Sequence, residues 1–228
     1  KVPDIFTAKS MYTMASVDFS GNLITGVETK GADGKYKGIN VETLTLADNP
    51  ITTYPVEFAE SGSKINYINM RGCRVNNIPK EAFEGENLKF LVSLDLSYND
   101  LDDLPSTFNA VNMPYFYGME LSYNKFSKFP FEPLDCAGLT VFGIRGQRND
   151  AGERCLSQWP EGIYQHTGLR GFYIGSNNLG MIEDTISPLC YYLEVSDNPN
   201  IILDASTVCY EYSIGAYFLI YDKTQDIR

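Results

Sequence analysis

LVSLDLSYNDLDDLPSTF, residues Leu91 to Phe108, decides the fold. Leu91, Leu94, Leu96, Leu101 and Leu104 fall at positions 1, 4, 6, 11 and 14 of a unit, with Asn99 at position 9 and Pro105 at position 15. Positions 4 and 6 alternate with polar positions 3, 5 and 7, the period-two signature of a short strand with one buried face. A unit this short cannot bury that face alone, so the first question is whether it repeats.

It does. Apolar residues at positions 1, 4 and 6 with a polar residue at 9 recur from starts at Met14, Val41, Ile65, Leu91, Phe116, Leu139, Leu169, Cys190 and Ile214, at spacings of 21 to 30 residues. The third copy, Ile65, Ile68, Met70, Cys73 and Val75, carries cysteine in the asparagine place, which this pattern permits. The eighth, from Cys190 through Leu193, Val195 and Asn198, has one extra residue before Ile201. The ninth, Ile214, Tyr217, Leu219 and Asp222, is degenerate and runs into the polar tail ending at Arg228.

A second register supports the first. Pro55, Pro79, Pro105 and Pro130 all stand at position 15, where proline stops the chain from re-entering a hydrogen-bonded ladder. In the sixth copy the equivalent Trp159 and Pro160 come seven residues late, which places a seven-residue insertion in GQRNDAGERCLSQ, Gly146 to Gln158. Apolar residues near position 18 or 19, namely Phe58, Phe83, Phe108, Leu134, Ile163, Ile186 and Val208, are expected to close the core from behind. The asparagine at position 9 is expected to satisfy buried backbone groups of neighbouring turns.

Composition bounds the function. The 228 residues are 43% hydrophobic, enough for a sizeable core, and carry a formal charge of -11, which disfavours nucleic acid and anionic membrane surfaces. The longest apolar runs are too short to span a bilayer. The chain begins at Lys1, so an upstream segment that was processed or cut away is expected. Five cysteines without C-x-x-C spacing argue against a disulfide framework and a zinc site. Cys73 and Cys190 fall on inward positions, and Cys136 with Cys155 remains open as a pair.

LSYN, LDDLP and LSYNKFSKFP resemble the leucine-rich-repeat superfamily, over about residues 14 to 224. With SGN, ADNP and SDNPN at the turns and the ending YDKTQDIR, the chain looks like the surface leucine-rich-repeat lipoproteins of Bacteroidales gut bacteria. The fold class this implies is α/β: a right-handed solenoid of about nine repeats. A parallel β-sheet would line its concave face, with irregular, 3-10 and short-helical segments on the convex side. Residues 1–13 form an N-terminal flank or cap, and 14–228 form the repeat domain with a terminal cap from about 206. The resemblance also implies export, a lipid anchor and immunoglobulin-like domains upstream, none of which this sequence contains.

In such a solenoid the outward positions 3, 5 and 7 offer a binding surface. Two patches stand out: Tyr67, Asn69, Arg71, Asp95 and Glu120 with Tyr98 and Tyr123 on the rim, and Arg145, Tyr173, Tyr192 and Glu194. Aromatic side chains with arginine and carboxylates are the composition of interaction hot spots. Against this, a chain with 16 tyrosines must expose some, and tyrosines in a ladder pack on one another. Asp95 and Glu120, as cross-strand neighbours, could repel or hold a cation, but solvated acids balanced by Arg71 and Arg145 are the simpler reading, and neither metal nor cofactor is expected.

His166, the single histidine, lies in the sixth return segment without a nucleophile at motif spacing and is read as a surface residue. The expectation is a non-enzymatic module that recognises a protein or glycan at the cell surface. A structural spacer projecting another domain is the alternative, and a glycan-processing hydrolase using Asp95 and Glu120 is the third reading.

Overall fold

The computed structural model describes residues 15–27, 41–60, 64–84, 88–182, 190–203, 218–220 and 226–227. The expected N-terminal flank and most of the expected terminal cap lie outside them.

Positions 3 to 5 of the copies become strands: β1 Ser16–Asp18, β2 Thr43–Thr45, β3 Tyr67–Asn69, β4 Ser93–Asp95, β5 Gly118–Glu120, β6 Val141–Gly143, β7 Gly171–Tyr173 and β9 Tyr192–Glu194. With β11, Phe218–Ile220, they form one nine-stranded parallel sheet in which each strand pairs with the next copy in register. The central residues Leu44, Ile68, Leu94, Met119, Phe142, Phe172 and Leu193 all point into the core and are buried. Turns that can be followed from strand to strand are fewer than the nine expected, since the return segments behind β1, β2, β3, β7 and β9 lie wholly or partly outside the described residues.

The ninth copy needs a correction. Leu219 pairs with Leu193, which puts it at position 4 rather than 6, so the copy starts two residues later than Ile214. A slip of two keeps every side chain on its own face, and this copy has no asparagine to pin its register.

Asparagine at position 9 performs the role its chemistry suggests. Asn99 is buried; its Nδ2 donates to Met70 O and Leu96 O at 2.9 Å, and its Oδ1 accepts from Val75 N at 2.8 Å. Asn49, Asn124, Asn177 and Asn198 repeat this pattern, and Gln147 stands in for it in the sixth copy. Cys73 donates to Leu46 O at 3.0 Å, and Ile51 N pairs with Asn49 O at 2.8 Å rather than with the position-9 side chain of the next copy. Each buried backbone group left unpaired would cost about 1–3 kcal/mol, so the ladder couples every turn to its neighbour.

Behind the sheet lie the short helix α1, Glu57–Glu60, and 3-10 turns at Lys80–Phe83, Glu132–Asp135 and Ile163–Gln165. Phe58, Phe83, Phe108 and Ile163 close the core from this side, and Leu134 packs against it partly buried, whereas Ile186 and Val208 lie outside the described residues. Aromatic rings meet edge-on along the core, Phe83 with Phe108 at 4.8 Å and Phe108 with Phe116 at 5.0 Å.

One feature was not expected: a second parallel sheet on the flank, formed by β8 Met181–Ile182, β10 Ile202–Leu203 and β12 Asp226–Ile227. Proline follows the equivalent place in the second to sixth copies, where the pairing shrinks to an isolated bridge such as Thr53 with Asn77. After Ile182 and Leu203 the sequence has Glu183 and Asp204 instead, and the ladder extends.

The insertion is a pinned excursion. Arg148 bridges Arg154 antiparallel, Asn149 Oδ1 accepts from Ala151 N and Glu153 N, and Leu156, fully buried, resumes position 11. Lys125 ties Asp150 at 2.7 Å and Asp100 at 2.8 Å, while Arg154 Nη2 holds Asp197 Oδ1 at 2.6 Å.

Cys136 and Cys155 do not pair. Both are free thiols, as are the buried Cys73 and Cys190. Cys136 follows the 3-10 turn behind the sheet, where burial pushes its thiol up to about 12, whereas Cys155 joins the position-9 side and donates to Phe126 O at 3.3 Å.

Candidate functional site

The outward columns do not present their residues equally. Position 5 is largely engaged in the chain's own turns. Asp95 Oδ1 accepts from Ser97 N at 2.8 Å and Ser97 Oγ at 2.6 Å, Glu120 Oε1 accepts from Ser122 N at 2.9 Å, and Asn69 Oδ1 accepts from Arg71 N at 3.0 Å. Asp95 and Glu120 are cross-strand partners as expected. Each acid accepts from a backbone N–H two residues on, and Glu120 lies over Gly143, where no side chain stands in its way.

Glu194 differs from its expected role most. It is 6% exposed, accepts from Arg145 Nε at 2.7 Å and Gly175 N at 3.3 Å, and takes a short hydrogen bond from Ser196 Oγ. It is an internal clamp that holds Arg145 over the Tyr173 ring, 4.4 Å from guanidinium carbon to centroid.

What remains exposed is aromatic. Tyr67 and Tyr192 are exposed on β3 and β9, and Tyr98 and Tyr123 crown the edge where the strands end. The Tyr98 and Tyr123 centroids lie 4.3 Å apart, and the Arg71 guanidinium sits 3.8 Å from the Tyr98 centroid while Nη1 donates to Ser97 Oγ at 3.2 Å. Tyr123 in turn covers Gly146, where a β-carbon would come within 2.6 Å of the ring. Burial raises the Tyr123 hydroxyl pKa, with Tyr98 beside it adding to the shift and Arg145 opposing it. The two patches read from sequence therefore abut at Tyr123 and Arg145.

The backbone beneath them escaped sequence reading. Position 8 is left-handed in all eight copies from Gly21 to Asp197: φ is positive at Gly21, Asp48, Gly72, Tyr98, Tyr123, Gly146, Ser176 and Asp197. The signal was in the sequence, since Gly21, Gly72 and Gly146 share that position. Glycine and aspartate suit this conformation, whereas a bulky L-residue there costs about 1–2 kcal/mol. Tyr98 at 56° and Tyr123 at 60° are the large side chains that accept it.

The opposite edge holds a second aromatic group that sequence reading missed. Phe90 and Tyr115, both exposed, lie 6.5 Å apart with planes 6° from parallel, and exposed Tyr117 follows in the chain. His166 is half-buried rather than a surface residue: it caps the Ile163–Gln165 turn, and desolvation lowers its pKa. Among the described residues no three metal-ligating side chains converge, and no helix is long and apolar enough to cross a membrane.

Parallel strands on successive turns, an asparagine ladder and aromatic-closed return segments together define a leucine-rich-repeat solenoid. The Leucine Rich Repeat family model matches residues 90–110, which fall on the stretch that first showed the pattern. A leucine-rich repeat protein of Bacteroides thetaiotaomicron VPI-5482 superposes with a TM-score of 0.90 at 42% identity, covering 100% of this chain and 28% of that one. Another, from Bacteroides eggerthii DSM 20697, superposes with a TM-score of 0.88 at 43% identity, covering 100% and 38%. The chain belongs to the leucine-rich-repeat family and spans well under half the length of these two relatives.

Human 5T4, also described as Wnt-activated inhibitory factor 1 or trophoblast glycoprotein, shares the fold with a TM-score of 0.70 at 20% identity, covering 93% of this chain and 77% of that one. No curated protein matches the sequence. Solenoids of this family are typically binding scaffolds with extended contact surfaces rather than enzymes.

Proposed function

We propose that this chain is a non-enzymatic recognition module that binds a protein partner outside the cell, as one part of a longer exported protein. The observation that carries the reading is the pair Tyr98 and Tyr123, held in left-handed backbone, stacked at 4.3 Å and topped by Arg71. Strain of this kind persists where the surroundings compensate it, and it concentrates at ligand-contacting sites. Tyrosine and arginine offer rigid area and directional hydrogen bonds at low entropic cost, the make-up of interface anchors.

Tyr67, Tyr173 and Tyr192 extend the contact surface along the sheet, with Asn69 and Arg145 as polar neighbours. Asp95, Glu120 and Glu194 hold the turns and the arginine beneath it. Their engagement with backbone N–H groups and with Arg145 also weighs against a hydrolase, which needs one acid free to donate a proton and a second free to attack or activate water. Export and a lipid anchor rest on the resemblance of the turn motifs.

The test is a screen of immobilised chain against extracellular proteins, repeated with Tyr98→Ala and Arg71→Ala. A partner that loses at least about tenfold in affinity with either variant supports the face. A partner indifferent to both removes it, and a screen without any partner favours the spacer reading.

A further inference from the structure

Tyr98 and Tyr123 leave the backbone in the same way. Both stand at position 8 of adjacent turns, with φ of 56° and 60°. The N–H of each donates to a carbonyl of the following turn, to Ser122 O at 2.9 Å and to Arg145 O at 2.7 Å. Equal backbone geometry on in-register turns sends the two side chains out side by side. Their hydroxyls come close enough for Tyr98 to raise the pKa of Tyr123, and the ortho carbons beside the hydroxyls are brought together with them.

The ring centroids are 4.3 Å apart and the planes are tilted by 30°. That separation is already the one between two rings joined directly by a carbon–carbon bond. The pair is also hemmed in. Arg71, from the turn before it, lies 3.8 Å from the Tyr98 centroid, and Gly146, from the turn after it, sits against the Tyr123 ring. Outer edges stay open, with Tyr98 44% and Tyr123 39% exposed. Tyr54 and Tyr115 also meet aromatic rings, but their partners are phenylalanines, which have no hydroxyl hydrogen to lose.

We propose that Tyr98 and Tyr123 form an oxidative modification site, at which a one-electron oxidant joins them into a dityrosine staple between the fourth and fifth turns. The oxidant is of the class of a peroxide-charged haem peroxidase. It takes one electron from each phenol, and each hydroxyl proton leaves to water. The resulting phenoxyl radicals carry spin at their ortho carbons and pair there to form one carbon–carbon bond. The ortho hydrogens then move to the oxygens, restoring both phenols. Two electrons and two protons leave the chain, and one hydrogen peroxide becomes two waters.

Because the reacting rings are already placed, coupling within the chain outpaces coupling to a second molecule in dilute solution. The product closes one turn of the solenoid covalently, and such a closed loop restricts the unfolded chain as a disulfide does. It also fixes the edge that the recognition reading gives to a partner. The staple rests on ring geometry alone, so either reading can fail without the other.

The experiment treats the dilute purified chain with a haem peroxidase and a limiting amount of hydrogen peroxide, then reduces any disulfides. The expected product is a monomer lighter by two hydrogens, with the blue emission of dityrosine and a peptide pair joined through Tyr98 and Tyr123. Oxidation at Cys155 or Met181 adds oxygen instead, so mass separates the two kinds of product. Tyr98→Phe and Tyr123→Phe keep the stacked rings and should each abolish the staple. Tyr115→Phe, at a more exposed tyrosine, should leave its yield unchanged. Peptide mapping of the parent chain decides alone if a phenylalanine variant does not fold. An unchanged mass, coupling mapped to other tyrosines, chains joined to one another in place of the internal bond, or a yield that survives Tyr98→Phe overturns the proposal.

Discussion

Arg145 Nε donates to Glu194 Oε2 at 2.7 Å, reaching from the end of β6 to β9 across the intervening turn. The bond exists because the intervening residue is Gly175, where a β-carbon would fall inside contact distance of the Glu194 carboxylate.

Gly175→Ala is expected to expel Glu194, free Arg145 from the Tyr173 ring and lower stability by about 1–3 kcal/mol. Glu194→Gln should cost a similar amount; Arg145 keeps a third of its side chain in solvent, so the loss falls short of the about 3–5 kcal/mol of a fully buried pair. Urea midpoints check both, and a midpoint for Gly175→Ala equal to that of the parent would contradict the clamp.

The position-9 ladder predicts an order of substitutions rather than a single value. Asn99→Ala strips partners from Val75 N, Met70 O and Leu96 O together and should cost about 3–5 kcal/mol. Asn99→Cys should cost less, because Cys73 shows that a thiol there still donates to a carbonyl of the preceding turn. Equal losses by thermal or urea unfolding would show that the polar contacts matter less than side-chain volume.

Tyr98→Asn separates stability from recognition. Asparagine tolerates the left-handed backbone that costs tyrosine about 1–2 kcal/mol, while the substitution forfeits ring stacking and the Arg71 contact, together about 1–2.5 kcal/mol. The two nearly cancel, so the unfolding midpoint should move by less than about 1 kcal/mol equivalent while partner binding is lost. A large stability loss would mean that the stack is primarily structural.

Acid should release the insertion before it unfolds the solenoid. Hydrogen bonds from Lys125 lower the Asp150 pKa, and those from Arg154 lower that of Asp197, both from an ordinary value of 3.8. A carboxylate with a lowered folded pKa contributes fully above its ordinary value, and that contribution fades as pH falls through the folded one. Amide exchange at Ala151 to Glu153 should therefore accelerate below about pH 4, with the Asn99 ladder still protected. Uniform loss of protection across both would show that the ion pairs do not anchor the loop.

Much of this was legible in the chain. The starts from Met14 to Cys190, the prolines at position 15 and the late Trp159–Pro160 locate strands, returns and insertion by spacing alone, because core burial imposes a strict spacing on apolar residues. Ile214 was misplaced because a two-residue slip leaves that spacing intact. The flank sheet was missed because β8 and β10 carry no pattern of their own and form where proline is missing.

The sequence by itself determined which side chains face inward, since alternation along a strand fixes a face and repetition fixes the stack. Only the tertiary structure decided which outward residues are free to meet a partner. Parallel strands bring each outward side chain within about 5 Å of its counterparts in adjacent turns. Serines, glycines and arginines there choose whether Asp95, Glu120 and Glu194 turn inward or remain exposed. Spacing along the chain carries no record of those lateral contacts, and they leave Tyr98 and Tyr123 at the surface.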